Sequence, residues 1–574
     1  MAQWFLTDYL HLKGQIAITK EFTKKERFID PLSSNTTAKA QKEAELEGDL
    51  YLTKGESTNW DAQIGAYVSK SFGAHALNAS VVVNATSRKS ESTSSHYRGF
   101  PSGEYHSPNY AAEIKDKPSK SQSASRLAGF LLLANYTWND IYLADVSVRF
   151  DGSSEFGLDQ KWAPFWSFGA GVNLHNYAFL NGSKVINRMK FRASYGQTGK
   201  VNFPSYSART VYRTFDRWYI AGFGVGLKAL GNRDLKWETT NKLNVGTDME
   251  FWNSRISLVF DYYYNKTVDL ITDVTLPGSA GFSSYKSNLG ETLNKGFDIQ
   301  FRFDVMKNKD WNVALWGNLN HNRNEILKIS DALKAYNSQV EDYYGLAEES
   351  QTPTLSWTQA GKTYSDFIKP IMKYEEGASL TAIYGVRSLG IDPSNGKELY
   401  LYRNGQASHK WKATEEVVLG DSEPKASGSF GLNATYKNFS LFASFGYEWG
   451  KQTYNETLIM NVENADIQGS NVDKRVLTQR WEKPGDIAPL KDIKDMNSVT
   501  LPTSRFVQDE NVLSLDALTL SYDFDPLWLR KIFLKTLRLE VSTNELFRLS
   551  SIKQERGTSY PFARTVNFSL RATF

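Results

Sequence analysis

Residues 565–574, TVNFSLRATF, set apolar Val566, Phe568, Leu570, Ala572 and Phe574 against polar Thr565, Asn567, Ser569, Arg571 and Thr573. A period of two puts each set on its own face of an extended chain. About ten such residues, tilted, cross the hydrocarbon core of a bilayer. Arg571 sits mid-strand, where a charge facing lipid would cost roughly 2–4 kcal/mol, so the polar set is expected to face a wet interior. A sandwich edge strand yields the same alternation. Recurrence along the chain decides between the two.

The pattern returns at hairpin spacing. Segments 60–70 and 75–86 flank a turn near Gly73, and 127–137 and 141–151 flank Trp138-Asn139-Asp140. Leu243, Val245, Thr247, Met249 and Phe251 alternate with Asn244, Gly246, Asp248 and Glu250, and Phe297, Ile299, Phe301 and Phe303 with Asp298, Gln300, Arg302 and Asp304. Segment 188–195 places three cations, Arg188, Lys190 and Arg192, on one face. Further hairpins are expected to join 428–436 with 439–447 and 518–524 with 537–543. Short connections near 73, 139, 253, 307 and 438, and somewhat longer ones near 180 and 530, alternate with long irregular ones. The long ones are 22–58, 88–123, 200–238, 268–287, 323–424, 452–510 and 548–562. Short turns on one side and long loops on the other is the asymmetry of an outer-membrane barrel. The spacing predicts an all-β, transmembrane antiparallel β-barrel with about sixteen crossings, residue 1 on the short-turn side, short periplasmic turns and long extracellular loops.

Composition agrees. Of 574 residues, 14% are aromatic, yet mean hydropathy is −0.46, as expected of a lipid-facing band over a polar lumen. No run reaches the ~18 apolar residues of a membrane helix. A net charge of +4, from 67 basic and 63 acidic residues, gives no reason to expect nucleic acid as a partner. With no Cys and seven scattered His, neither thiol chemistry nor a metal site is expected. The start, MAQWFLTDYLHLKGQIAITKEF, lacks the pattern of a signal peptide, so either export is encoded elsewhere or the chain is a fragment of something longer.

Two Gly-containing stretches read as turns. SYGQTGK at 194–200 precedes no helix pattern and is expected to be a strand end. Asp392, Asn395 and Gly396 in IDPSNG hint at a calcium loop but lack the later bidentate carboxylate, so a plain turn is expected. No nucleophile motif accompanies them, and no enzymatic activity or cofactor is expected.

Nine blocks together resemble the SusC/RagA-like family of TonB-dependent outer-membrane transporters of Bacteroidetes. Among them are DIYLADVSVRFDGSSEFG at 140–157, FRASYGQTG at 191–199, LGNRDLKWETTNKLNVGTDMEF at 230–251 and GFSSYKSNLGETLNKGFDIQF at 281–301. Others are ISLVFDYYYNKTVDLI at 256–271, IYGVRSLGIDPSNGKELY at 383–400, RWEKPGD at 480–486, SRFVQDENVLSLDALTLSYDF at 504–524 and the terminal strand. They run in family order over residues 140–574.

The resemblance implies a 22-stranded barrel holding an N-terminal plug, preceded by a TonB-contacting box. No plug-like pattern precedes the strands here. Residues 1–574 are therefore expected to be one TonB-dependent receptor-like β-barrel domain, a C-terminal portion without plug or first strands, whose strand edges in lipid would need partners. The family implies uptake of oligosaccharides or other glycans, sometimes peptides, under a SusD-like lipoprotein lid and driven by TonB through the absent N-terminal part. The alternative is a non-transporting remnant or a passive pore. Trp218, Tyr219, Phe223, Tyr343, Tyr344, Trp357 and Trp481 fall in the long loops, where they would stack on substrate or anchor the lid; packing within the loops or a membrane girdle is the other reading. Phe568, Leu570 and Phe574 look like the terminal signal read by the barrel-assembly machinery, and the lipid of the outer membrane is the remaining partner.

Overall fold

The computed structural model describes all residues except 34–46, 158–159, 201–205, 207, 220–221, 230, 233, 276–283, 289, 331–332, 339, 342–356, 360–361, 365–369, 466, 468–471, 493, 496–499, 530–532 and 554–563. Among the described residues, eighteen strands belong to antiparallel meander sheet. The chain forms two units, the first comprising 1–169, 196–238 and 276–288, the second 170–195, 239–275 and 289–574.

In the first unit, Ala2–Thr7, Leu10–Ile29, Asp49–Phe72, His75–Arg98, Glu113–Trp138 and Tyr142–Ser153 each pair with the next. Opposed residues share a face, so the register gives its rows directly. One row runs Leu12, Ala66, Val81, Leu132 and Val148, and its neighbour Gly14, Ile64, Val83, Phe130 and Phe150. Ile64 is 63% exposed, and Val83, Phe130 and Phe150 are also exposed. Water would not tolerate so wide an apolar face; lipid requires it. The opposite face carries Asp151, ion-paired with Arg149 at 2.5 Å.

The second unit repeats the plan through Glu238–Phe251, Ile256–Val268, Gly290–Lys307, Trp311–Ile329, Ala426–Tyr436, Phe439–Tyr454, Val507–Asp523, Thr536–Asn544 and Thr565–Thr573. Its polar face explains the run of cations at 188–195. Arg192 reaches Asp261 at 2.7 Å and Asp248 at 3.3 Å, and Arg188 lies 3.6 Å from Glu250. A side chain at Gly246 would strike Arg192 and Asp261, so glycine there lets the guanidinium cross the sheet. In the terminal hairpin Arg571 opposes Arg538, which binds Asp523 at 2.6 Å, whereas Phe568 and Leu570 oppose Val541 and Leu539. Arg571 therefore takes the polar face, as the alternation required.

Three expectations are corrected. First, the strands outrun the periodic segments: Asp49–Phe72, His75–Arg98 and Glu113–Trp138 consume much of the supposed loops 22–58 and 88–123. Once a strand leaves lipid both faces turn polar, so the period vanishes while the hydrogen-bond ladder continues. His96, bound to Asp49 at 2.7 Å and Asp116 at 3.0 Å, lies in that extension. Second, the count of about sixteen holds to within one crossing, but the placement of residue 1 does not. Ala2–Thr7 adds one strand through an unrecognised turn at Asp8-Tyr9, so residue 1 lies toward the long-loop side and not the short-turn side as expected, and Arg548–Ser550 continues the crossing begun by Thr536–Asn544. Third, the long connections contain short ladders, such as Ala382–Gly385 with Val417–Asp421 and Arg387–Ile391 with Glu398–Leu401.

Candidate functional site

The stretches that carry the family resemblance in the long loops of the second unit meet in a buried knot. Arg505 is 9% exposed at its side chain, lying 2.7 Å from Glu463 and 2.9 Å from Glu398. Burial opposes its charge, but the two carboxylates outweigh burial and hold it firmly protonated. Arg480 donates Nε–H to Val476 O at 3.0 Å and Nη1–H to Lys491 O at 3.2 Å, and bonds the carbonyls of Val462 and Glu463. Beside the knot, Ile459 and Phe506 pack together with no exposure, and Val462, Ala465, Val476 and Leu490 form a second apolar cluster.

Trp481 belongs to this interior. It is 8% exposed, donates Nε1–H to Pro393 O at 2.9 Å, and covers Gly396, whose φ of +72° and missing Cβ leave room for the ring. Its ring therefore packs within the loop interior. Asp392 closes its turn by accepting from Ser394 N and Oγ, each at 2.8 Å, which is the plain turn expected of IDPSNG. The same holds in the first unit, where DLKWE buries Leu235 completely and stacks Trp237 on Phe156 at 4.3 Å.

A separate acid–base cluster lies beside Ala413, whose carbonyl accepts from Lys373 at 3.4 Å. The Lys373 ammonium is 2.9 Å from Glu341 and 3.1 Å from Glu416, whose side chain is fully buried. Burial pushes the Glu416 carboxyl up to about 7, against the pull of Lys373.

Among the other aromatic candidates, Trp218 opposes Phe223 and Tyr219 opposes Gly222 in the hairpin of Val211–Tyr219 with Gly222–Ala229. Trp357 opposes Tyr364 in a second short hairpin. Tyr343 and Tyr344 lie outside the described residues.

The cavity with binding chemistry arises elsewhere, from three irregularities in the strand ladder. The register of Phe439–Tyr454 with Val507–Asp523 shifts between Ser444 and Phe445, leaving Asp516 with no residue opposite it on that strand. It shifts again between Glu448 and Lys451, where Gly450 has φ +71° and donates its N–H to Asn511 Oδ1 at 2.8 Å. The crossing that follows breaks at Glu545, which has φ +47°. Bulges of this kind bend a strand and re-aim its side chains.

Together they open a cavity of about 900 Å³ lined by Ser427, Tyr447, Glu448, Ser514, Asp516, Glu545, Phe547, Arg548, Lys553 and Arg564. A second, of about 560 Å³, is lined by Pro370, Ile371, Met372, Ile383, Thr453 and Tyr454 and shares Arg548. Arg548 leans on Glu510 at 3.4 Å, and buried Glu510 also accepts from Thr453 Oγ1 at 2.6 Å. Lys553 binds Asp473 at 2.7 Å; Arg475 and Lys553 hold that carboxyl well below the usual range.

Mixed charges, hydroxyls and aromatic edges suit a polar solute with hydrogen-bonding groups of both kinds. The sequence alone singled out none of these residues: Arg548 and Lys553 fall in the supposed loop 548–562, and Tyr447, Ser514 and Asp516 in segments read as regular strand or motif. The signal was present as a slipped phase: Leu513 and Leu515 are followed by Leu518, Leu520 and Tyr522, a step of three where two was due.

The family described as TonB dependent receptor-like, beta-barrel matches residues 24–465. TonB-dependent receptor P3 of Formosa agariphila is 29% identical over 514 residues, covering 88% of this chain and 49% of that protein. TonB-dependent receptor SusC of Bacteroides thetaiotaomicron is 25% identical, covering 75% of this chain and 42% of that protein. The structure of the RagAB peptide transporter superposes with a TM-score of 0.79 at 22% identity, over 96% of this chain and 57% of its own. This chain thus spans about half the length of the curated relatives it matches. The strand meander, its two-faced wall and the matched residues show that the chain belongs to the TonB-dependent receptor-like β-barrel family of the outer membrane.

Proposed function

We propose that the chain supplies the barrel wall and loop layer of a SusC-like importer that takes up oligosaccharides or peptides. A SusD-like lipoprotein would deliver the cargo and TonB would drive its passage through a plug inside the barrel. No chemistry is asked of the chain itself. The observation that carries the reading is the 900 Å³ cavity, whose wall offers both charges, hydroxyls and aromatic edges to an extended polar oligomer. RagAB, named a peptide transporter, favours peptides within this class of cargo. Phe568, Leu570 and Phe574 would serve the barrel-assembly machinery: the first two are exposed on the apolar face of the last strand, and Phe574 is exposed just past its end.

The test is binding of mixed neutral oligosaccharides and of mixed short peptides to the purified chain in detergent, with Arg548→Ala as the comparison. Saturable binding of one class, weakened at least tenfold by the substitution, supports the reading. Binding of neither class, or binding indifferent to Arg548, overturns it. In cells expressing residues 1–574 alone, accumulation is expected to stay at the level of uncoupled cells. Equal leakage of unrelated solutes would point instead to a passive pore.

A further inference from the structure

The outward face of the first unit changes character sharply above its apolar band. Continuing the register upward, Ile16, Ala62, Ala85 and Ala128 form the last wholly apolar row. The next joins Ile18 and Trp60 to Ser87 and Arg126; the one after joins Lys20, Thr58, Lys89 and Ala124. Then come Phe22 with Glu56, Glu91 and Gln122, and finally Lys24, Lys54, Thr93 and Lys120. Six cations thus face the same way as the lipid band, within a few rows of it, against two carboxylates. Successive rows stand about 7 Å apart, so the cations begin where hydrocarbon ends.

The two carboxylates are occupied. Lys20 holds Glu56 at 2.6 Å; Lys120 lies 3.4 Å from Glu91, which also accepts from Gln122 at 3.0 Å. Lys54, Lys89 and Arg126 are exposed, and among the described residues none of them lies within 4 Å of a carboxylate. Lys89 and Arg126 lie on adjacent strands two residues apart in register, a diagonal of about 7–8 Å between Cα atoms that long side chains close readily.

We propose that this face is a binding site for phosphorylated lipid headgroups of the outer leaflet. The acyl chains lie on the Ile16, Ile18, Ile64 and Val83 surface, and Lys54, Lys89 and Arg126 receive the phosphates. Arg presents a fork that matches phosphate, while the Lys stems run along the wall with their ammonium groups at headgroup level. The long-loop side is the leaflet concerned, because the strands carry these cations toward the 99–112 connection rather than the turn at 73–74.

The test uses residues 1–574 in detergent, titrated with bisphosphorylated lipid A, with the same lipid enzymatically dephosphorylated, and with inorganic phosphate, and read by native mass spectrometry. The wild-type chain should retain the phosphorylated lipid and release the dephosphorylated one. The triple substitution Lys54→Gln, Lys89→Gln, Arg126→Gln should weaken retention on the order of a hundredfold, about fivefold per cation. Lys25→Gln with Arg88→Gln, on the opposite face of the same strands, should change nothing. Equal retention of both lipids by the wild-type chain overturns the proposal without recourse to any variant. So does full displacement of the lipid by millimolar phosphate, which would mark a site for soluble anions.

Discussion

The wall of residues 10–153 and the loop knot around Arg505 use opposite solutions to the same problem of polar groups away from water. The wall satisfies its backbone through a register unbroken from Asp49–Arg98 to Phe72–His75, and turns its side chains to lipid on one face and to water on the other. The knot has little sheet, so it satisfies its interior with side chains: Arg480 on backbone carbonyls, Arg505 between two carboxylates, Trp481 on Pro393. A wall of this kind tolerates change at most positions. A knot of this kind depends on each charge having its partner.

The strongest way to break that contrast is Arg505→Met, which leaves Glu398 and Glu463 buried without the cation that bridges them. A loss of roughly 3–5 kcal/mol is expected in the stability of the loop layer. Hydrogen exchange should rise across 455–465 and 475–491 while the wall remains protected; unchanged protection would show that the knot does not depend on this cation.

Next comes Glu416. Its carboxyl, pushed up by burial to about 7 from an ordinary 4.5, is favoured protonated in the folded loop. Its stabilising contribution is therefore complete below pH 4.5 and is lost as pH rises through 7, by about 3 kcal/mol in all. Glu416→Gln should abolish this slope and stabilise the loop at pH 8. Melting curves of the two proteins that stay parallel from pH 5 to 8 would contradict the assignment.

The wall supplies the smaller test. Val81→Arg places a charge in the middle lipid-facing row and is expected to cost roughly 2–4 kcal/mol near the midplane. Ser80→Arg, one residue away, enters a polar cavity of about 430 Å³ beside Asp61 and Asn84 and should be close to neutral. Equal effects on urea-induced unfolding in lipid vesicles would mean that the faces are assigned wrongly.

How legible each region was follows from the same physics. Val81, Val83, Phe130, Leu132, Val148 and Phe150 announce their face through a period of two, because lipid contact demands it. The segment SRKSESTSSHYR gives no such sign, although the structure continues the strand through Arg98. Trp481 illustrates the limit for single residues: a loop tryptophan reads alike whether it stacks on cargo or packs on Gly396, since composition does not tell which neighbour approaches it. Asp516 lies between these cases. The slipped phase of Leu515 and Leu518 contains the bulge, but only the pairing with Ser444 and Phe445 shows that it opens a cavity.

By itself, the sequence determined the all-β membrane wall, its two faces, the turn sides and the family. All of these rest on local periodicity and on motif order along the chain. Tertiary structure alone decided how far the strands extend beyond lipid, and that Glu398, Glu463 and Arg505 meet across more than a hundred residues. It also decided where the ladder's irregularities gather a cavity and where Lys54, Lys89 and Arg126 share a surface. Contacts between residues distant in the chain are set by strand register and loop closure, and neither leaves a period in the residues that make them.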